Sequence, residues 1–253
     1  MAAAAASSRR MMRLPRGASL ILGRPFPSPP AFSSAWKEGD DQLGRMDQRD
    51  TWDRFYAAKL EGSGPPGHFD WFFGYREVSD LLHAVLRGLP SGRADVLDVG
   101  CGTSSLGLSL YRESPRQLHV CCLDFSPLAL EAVGRLLRQS PPPCHPLSEL
   151  RCRLADATDL ASSFERASFH LVLDKGTCDA VLRCPQGPDR ARRFMAGCVR
   201  VLKPGGSLIQ FSDEDPDARV PFLEQAGAAN VTVKEIGPKG GISYYAYTIG
   251  QKT

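Results

Sequence analysis

Four aspartates carry the chemistry that the spacing of this sequence suggests: Asp98, Asp124, Asp156 and Asp174. Each lies at or near the end of an apolar run that is typical of a buried strand. Helical patterns separate these runs, and ligands bind where the carboxyl ends of parallel strands meet at one edge of a sheet. The four acids therefore predict a pocket lined by carboxylates.

A glycine turn follows the first of these strands. Residues 96–102 run from an apolar strand through Asp98 into Gly100 and Gly102. Glycine permits positive φ angles and lets a ligand approach the backbone closely, and free amides at the following helix start favour an electron-rich ligand. Asp124 lies about 20 residues further on, which is the spacing at which an acid holds ribose hydroxyls in nucleotide-binding folds. The pattern predicts a nucleotide-like cofactor.

Two details favour S-adenosylmethionine over a dinucleotide. Ser105 stands where the dinucleotide fingerprint requires a third glycine. Asp98 also places a carboxylate beside the turn, where it would repel a pyrophosphate and attract the cationic amino-acid end of S-adenosylmethionine. An oxidoreductase that uses a nicotinamide cofactor is the more distant alternative.

Charge is distributed unevenly along the 253 residues, whose formal net charge is +3. Residues 1–37 are rich in arginine, serine and alanine and contain no acid, which is typical of a mitochondrial transit peptide; a disordered basic tail is the alternative. The rest of the chain is mildly acidic, so no nucleic-acid partner is expected. No apolar stretch is long enough for a membrane span, and the eight cysteines form no C-x-x-C pair, so neither a membrane nor a metal is expected.

Alternating strand and helix patterns from residue 94 to about 250 predict a doubly wound α/β sheet with right-handed crossovers and helices on both faces. We expect strands at 96–99, 118–123, 150–154, 169–173, 207–211, 231–236 and 244–249, with the last two antiparallel as a hairpin or edge pair. A turn is expected at 203–206, before the fifth strand. The sequence thus divides into a tail (1–37), a helical lid segment (46–90) and a cofactor-binding domain (94–250).

The lid segment combines a helix at 46–60, a glycine- and proline-rich loop at 62–67 and an aromatic cluster at 69–75. The cluster includes Trp71 and Tyr75. Plain packing against the domain and a cover over the pocket explain these aromatic residues equally well.

Several of these segments resemble a known family. Residues 96–102 resemble motif I of the class I S-adenosylmethionine-dependent methyltransferases, and 123–124, 155–157 and 202–206 resemble its later motifs in the same order. Residues 173–180 are similar to the D-K-G-T-x-D-A signature of seven-β-strand protein-lysine methyltransferases, including those that act on elongation factor 1A. Cys178 departs from that signature, where relatives carry a larger apolar residue. The resemblance implies a Rossmann-like seven-stranded sheet, mostly parallel with an antiparallel edge strand, over residues 94–250.

The resemblance also implies roles for single residues. The methionine part of the cofactor would contact Gly100 and Gly102, and Asp98 would lie near its amino group. Asp124 would hold the ribose, and Asp156 with Ala157 would meet the adenine. Asp174 would lie where the methyl donor meets the acceptor. Trp71 and Tyr75 would cover the cofactor or channel the acceptor.

The acceptor is expected to be a lysine side chain, which must be neutral when it is methylated. Asp174, Glu214 and Asp215 are the acids expected to meet it, whereas Asp213 is assigned to a favourable interaction with a helix start. Lys175 either supports this site or pairs with a nearby acid.

The resemblance and the tail together imply a lysine of citrate synthase, in the mitochondrial matrix, as the acceptor. Another protein or a small molecule as acceptor, or a non-catalytic binding module of the same fold, are the alternatives.

Overall fold

The computed structural model describes residues 45–61, 69–228 and 230–250. Its strands are β1 (Ala94–Val99), β2 (Leu118–Asp124), β3 (Glu149–Leu154), β4 (Phe169–Lys175), β5 (Leu202–Ser212), β6 (Val231–Lys239) and β7 (Ile242–Gly250). Its α-helices are α1 (Arg49–Glu61), α2 (Ser79–Gly88), α3 (Leu106–Glu113), α4 (Pro127–Gln139), α5 (Thr177–Leu182), α6 (Gly187–Val201) and α7 (Pro216–Gln225). Short 3-10 helices lie at Tyr75–Glu77 and Ala157–Ser162. The predictions for residues 1–37 and for the loop at 62–67 lie outside the described residues.

The seven strands form one sheet in the order β3-β2-β1-β4-β5-β7-β6. Neighbouring strands from β3 to β5 pair in parallel, whereas β7 pairs antiparallel with both β5 and β6. The predicted seven-stranded, mostly parallel sheet is confirmed, as is the antiparallel pairing of its last two strands. The antiparallel strand β7 lies one position inside the edge that β6 forms.

Helices cover both faces of the sheet because its central strands are apolar on both sides. Val96 of β1 packs on one side with α1 to α4, and Leu97 packs on the other side with α5 to α7. This alternation follows from the pleat, which sends successive side chains to opposite faces. The side on which an acid lies therefore depends on its position in the strand.

Local signals set the start of α4. The Ser126 hydroxyl accepts a hydrogen bond from the Ala129 backbone N–H at 3.2 Å, and Pro127 occupies the first helical position. Ser126 thereby satisfies an amide that the first turn leaves without a helical partner, and proline needs no donor there. The helix start expected at these residues is confirmed.

Strand β5 begins earlier than predicted. Its pairing with β4 shifts from Phe169 opposite Leu202 to Leu171 opposite Ser207. The four residues 203–206 therefore stand opposite His170 alone, which makes three of them extra in the ladder. Gly205 has a φ of +74° within them, which a glycine adopts at little cost. The predicted turn at 203–206 is therefore an interruption inside β5 rather than a boundary before it.

A buried arginine joins α7 to the sheet. Arg219 is 1% exposed and donates to the Asp179 carboxylate, to Ser212 Oγ at 3.0 Å and to Gln210 Oε1 at 3.3 Å. These partners lie on α5 and β5, so one guanidinium connects three elements beneath the carboxyl edge of the sheet. Buried charges of this kind are tolerated because they are paired and hydrogen-bonded.

We predict that Arg219→Ala lowers the free energy of unfolding by about 3–5 kcal/mol, because it leaves the buried Asp179 carboxylate without its partner. Denaturant unfolding measures the loss. The matched control is Arg192→Ala, which breaks an exposed pair with Asp189 and is expected to cost less than about 1 kcal/mol. Equal effects of the two substitutions would contradict the role given to Arg219.

Candidate active site

A cavity of about 830 Å³, including solvent at its mouth, lies at the carboxyl edge of the sheet. Its floor comes from the ends of β1, β2 and β4 and from the start of the 3-10 helix after β3. Its roof comes from residue 46, from α1 and from the aromatic segment. Of the residues predicted to form the site, seven line this cavity: Trp71, Asp98, Gly100, Gly102, Asp124, Asp156 and Ala157.

The glycine turn brings backbone directly to the cavity wall. Gly100 and Gly102 have φ angles of +64° and +55°. A side chain on Gly100 would place its Cβ 2.1 Å from Thr177 Oγ1, and one on Gly102 would lie 2.6 Å from the Tyr56 hydroxyl. Thr177 Oγ1 donates to the carbonyls of Val99 and Gly100, at 3.1 and 3.2 Å. At both positions of this turn, a residue with a side chain would strain the backbone and clash with a neighbour, so only glycine fits.

Asp124 joins this turn to the start of α4. One carboxylate oxygen accepts a hydrogen bond from the Gly102 backbone N–H at 2.8 Å, and the other accepts one from the Ser126 N–H at 2.8 Å. Burial raises the pKa of Asp124 to about 6, against the lowering effect of these bonds. Each oxygen keeps a second lone pair, so the carboxylate can still accept from a pair of ligand hydroxyls.

Asp98 lies deeper under the same turn. Its Oδ2 accepts a hydrogen bond from the Gly107 N–H at 3.0 Å, which fixes the start of α3 on β1. Burial raises the pKa of Asp98 to about 7, and the positive charge of Lys175 partly offsets that rise. A bound cation would favour the ionised carboxylate.

Asp156 is exposed at the other end of the cavity. Its Oδ1 accepts hydrogen bonds from the Thr158 N–H and hydroxyl, at 2.7 and 2.8 Å, and so caps the 3-10 helix that Ala157 begins. Phe125, which follows β2, lines the same end. This end thus presents an apolar ring beside polar backbone.

Asp174 does not line the cavity. Asp98 shares its side of the sheet with Val96, whereas Asp174 lies on the side of Val172, under α5. Its carboxylate accepts from Gln210 Nε2 at 2.7 Å and from the Thr177 N–H at 2.9 Å, and it is fully buried. Burial, with the nearby Asp179 charge, raises its pKa to about 7. Asp174 holds the turn whose residues reach the cavity.

Three other predicted residues also lie away from the cavity lining. Tyr75 is buried in its 3-10 helix, with its hydroxyl 2.9 Å from His83 Nε2. Asp215 caps α7 by accepting from the Asp217 N–H at 2.8 Å. The Glu214 carbonyl accepts from the Tyr247 hydroxyl at 2.6 Å.

Lys175 pairs with a nearby acid, which confirms one of the two interpretations of this residue. Its ammonium donates to Asp70 Oδ1 at 2.6 Å and to the Phe73 carbonyl at 2.9 Å. Asp70 also accepts from Ser104 Oγ at 2.5 Å and from Ser105 Oγ at 3.1 Å. Burial alone would raise the pKa of Asp70, but the charge and hydrogen bond of Lys175 hold it below its usual value. The sequence patterns did not indicate Asp70, although it lies inside the aromatic cluster.

Aromatic side chains build the roof. Trp71 stacks on Phe55 of α1, with ring centroids 5.5 Å apart, and meets Trp52 edge to face at 6.1 Å. Trp52 and Tyr56 of α1 line the cavity too, which sequence analysis also missed; their spacing of four residues is the signal that places both on one helix face. Trp71 therefore both packs against α1 and lines the cavity.

An ion pair between Asp47 and Arg190 closes the side of the cavity between the start of α1 and α6, at 2.5 Å. Within the described ranges, no group of three or more His, Cys, Asp or Glu side chains is arranged to hold a metal. A search of the same ranges finds no helix with the length and apolar character to span a membrane.

This sheet order, with a glycine turn after β1 and an acid at the end of β2, defines a class I methyltransferase. Residues 96–206 match the family described as "Methyltransferase domain". The N-methyltransferase NodS from Bradyrhizobium japonicum, solved with S-adenosyl-L-homocysteine, has the same fold: the TM-score is 0.57 at 14% identity, over 80% of this chain and 99% of that one. The 1,6-didemethyltoxoflavin-N1-methyltransferase of Burkholderia thailandensis also gives a TM-score of 0.57, at 16% identity, over 92% of this chain and 94% of that one.

The particular family follows from sequence relatives. The chain is 46% identical to the mitochondrial citrate synthase-lysine N-methyltransferase of Homo sapiens, over 96% of this chain and 98% of that protein. The Danio rerio protein of the same name is 40% identical, over 85% and 87%. An eEF1A lysine and N-terminal methyltransferase from Danio rerio is 32% identical over 63% of this chain, but only 20% of that protein is covered. This chain belongs to the citrate synthase-lysine N-methyltransferase family.

We predict that Gly100→Ala lowers the free energy of unfolding by about 1–3 kcal/mol more than Gly92→Ala does. Both positions have positive φ, so both substitutions carry the conformational cost, but only the Gly100 Cβ meets another atom, Thr177 Oγ1. Denaturant unfolding of the two variants isolates the contact. Equal losses would show that the Gly100–Thr177 approach is looser than the structure has it.

The raised pKa of Asp98 predicts a pH dependence of stability. The carboxyl titrates near pH 4 in the unfolded chain and at about 7 in the folded one, so between these values the folded protein binds more protons. Its contribution to stability therefore falls as pH rises through this window and is constant above it. Asp98→Asn removes this contribution. As pH rises from 4 to 7, the unfolding free energy of the variant should therefore increase relative to that of the wild type. Parallel curves would contradict the assignment.

Proposed function

We propose that this chain transfers methyl groups from S-adenosylmethionine to a lysine of citrate synthase in the mitochondrial matrix. The observation that carries the proposal is the 46% identity to the human relative of that name over nearly the whole of both chains. The chain is a methyltransferase that uses S-adenosylmethionine. The mitochondrial names of its relatives and the basic, acid-free residues 1–37, which we propose are a transit peptide, both support the location.

The cavity fits this cofactor. We propose that the methionine part lies against Gly100 and Gly102, where no side chain stands between ligand and backbone. Asp98 would hold the cationic amino group, and Asp124 would accept from the ribose hydroxyls. Asp156 and Ala157 would meet the adenine. Residues 46–90 would act as the lid, with Trp71 covering the ligand, and residues 94–250 as the methyltransferase domain.

Bound S-adenosylmethionine supplies a methyl group that its sulfonium already activates, so the proposed reaction needs no metal. The chain has to align the lysine nitrogen with that methyl group and to exclude water. It also has to favour the neutral amine, whose ordinary pKa is about 10.4. A desolvated site under the aromatic roof lowers the pKa of an amine.

Asp174 is buried away from the cavity, so it does not align the lysine nitrogen by the direct contact that was expected. We propose that it is a positioning residue, because its carboxylate holds the Thr177 N–H while Thr177 supports the glycine turn. A direct catalytic role for Glu214 and Asp215 stays a prediction, since neither lines the cavity. The folded part, mildly acidic beyond residue 37, suits a protein partner that presents lysine and not a nucleic acid.

The proposal is tested with the purified chain, citrate synthase and S-adenosylmethionine labelled in its methyl group. We expect label on a citrate synthase lysine, located by mass spectrometry. Asp124→Ala should remain folded but bind the cofactor about tenfold to a hundredfold more weakly by calorimetry, because it removes a charged acceptor. Asp159→Ala is the matched control, an exposed acid outside the cavity lining.

Mitochondrial extract, supplied in place of citrate synthase, separates the alternatives. Label on another protein would change the acceptor, and label on small molecules alone would replace it by a metabolite. Cofactor binding without transfer to any acceptor would indicate a binding module. Unchanged cofactor affinity in Asp124→Ala would contradict the assignment of this cavity as the S-adenosylmethionine site.

A further inference from the structure

Lys175 is a buried cation whose hydrogen-bonding capacity is only partly used. Its side chain is 4% exposed, and an ammonium group carries three N–H donors. Two of them have partners, the Asp70 carboxylate at 2.6 Å and the Phe73 carbonyl at 2.9 Å. Within the described residues, no third acceptor meets this ammonium. Because a buried donor without an acceptor costs free energy, the third N–H needs a partner from outside the chain.

The Lys175 side chain faces the cofactor cavity. It belongs to the last residue of β4 and lines the cavity together with Asp98 and Gly100. Leu173 lies opposite Asp98 in the sheet and packs on the same side of it, and the pleat returns Lys175 to that side two residues later. The positive charge of Lys175 lowers the pKa of Asp98 against the larger effect of burial, which agrees with this proximity.

Asp70, the partner of Lys175, places the ammonium beside the glycine turn. Its carboxylate accepts from Ser104 Oγ at 2.5 Å and from Ser105 Oγ at 3.1 Å, and both serines follow that turn directly. Ser104 lines the cavity as well. One carboxylate therefore separates the ammonium from the segment that runs from Gly102 into α3. Lys175 lies at the end of the cavity to which the methionine part of the cofactor is assigned.

The charges at this end of the cavity are incomplete for such a ligand. The methionine part of S-adenosylmethionine carries an ammonium and a carboxylate on the same carbon atom. Asp98 is the group proposed for the ammonium, and a desolvated carboxylate also needs an opposite charge. Among the described residues that line the cavity, the cations are Lys175 and Arg190. Arg190 pairs with Asp47 on the side of α6, so Lys175 is the cation beside Asp98.

We propose that Lys175 binds the carboxylate of the cofactor's methionine part through its third N–H. The ammonium then bridges two carboxylates, that of Asp70 and that of the ligand. Charge-assisted hydrogen bonds of this kind are short and strong. Asp98 and Lys175 together recognise the two charges of the ligand's amino-acid end and so fix its position between the ends of β1 and β4. The inference rests on the proposed placement of the cofactor.

The test measures, by calorimetry, the binding of S-adenosylhomocysteine and of its decarboxylated analogue, which keeps the amino group. We expect the wild-type chain to bind S-adenosylhomocysteine at least about tenfold more tightly, because the analogue lacks the charged acceptor. In Lys175→Met this preference should shrink to within about twofold. Asp70→Asn is the matched control. It removes the salt bridge but keeps the ammonium, so the preference should be retained.

A double variant covers the case in which one of the single variants does not fold. Asp70→Asn combined with Lys175→Met removes both buried charges together, so neither is left unpaired, and it should also lose the preference. A lysine that only fastens the roof would change the affinity for both ligands equally.

Three results would overturn the inference. They are a wild-type chain that binds the two ligands equally, a preference that persists without the Lys175 ammonium, and a preference that Asp70→Asn loses as completely as Lys175→Met does. Each would leave the proposed methyl transfer standing, because no acceptor takes part in the measurement. If the wild-type chain binds neither ligand, the proposed cofactor site fails and this inference fails with it.

Discussion

The salt bridge between Asp70 and Lys175 holds the cavity together. Lys175 ends β4, and Asp70 belongs to the aromatic segment above the sheet, so the pair fastens roof to floor. The same carboxylate receives the hydroxyls of Ser104 and Ser105, which follow the glycine turn. Because the lysine is almost completely buried, loss of either partner would leave an uncompensated charge inside the protein. Trp71 takes its place over the cavity as the neighbour of Asp70.

A second buried network lies below the sheet edge. Arg219 connects α7 with Asp179 on α5 and Ser212 at the end of β5. Asp174 and Gln210 continue this network under the turn that contains Gly176. The two networks lie on opposite sides of β4, so the residues at its carboxyl end are fixed from above and from below.

Sequence patterns predict the elements of this fold well because each pattern has a local cause. Apolar runs, the cap at Ser126 and the glycine turn are set by neighbouring residues, and the structure has them where they are expected. The side chains of Asp98 and Asp174 show the limit. Both lie one residue before the end of a strand, but the pleat sends one towards the cavity and the other under α5. The strand register needed to know this is fixed by tertiary pairing.

The acidic run after β5 shows the same limit in another way. From the sequence, Asp213 is assigned to the helix start, and Glu214 and Asp215 are expected to meet the acceptor. In the structure Asp215 caps α7, and Glu214 is tied through its carbonyl. Within the described residues, the Asp213 carboxylate accepts no hydrogen bond from another residue. The contacts that each of the three acids makes depend on where α7 begins and on how β7 packs beside it. Composition contains neither fact.

The two ion pairs of the roof differ in how far water reaches them. Asp47 and Arg190 are 20% and 21% exposed in their side chains, against 15% and 4% for Asp70 and Lys175. Dissolved ions screen the outer pair more strongly than the inner one. Higher ionic strength therefore loosens the closure beside α1 before it loosens the fastening on β4.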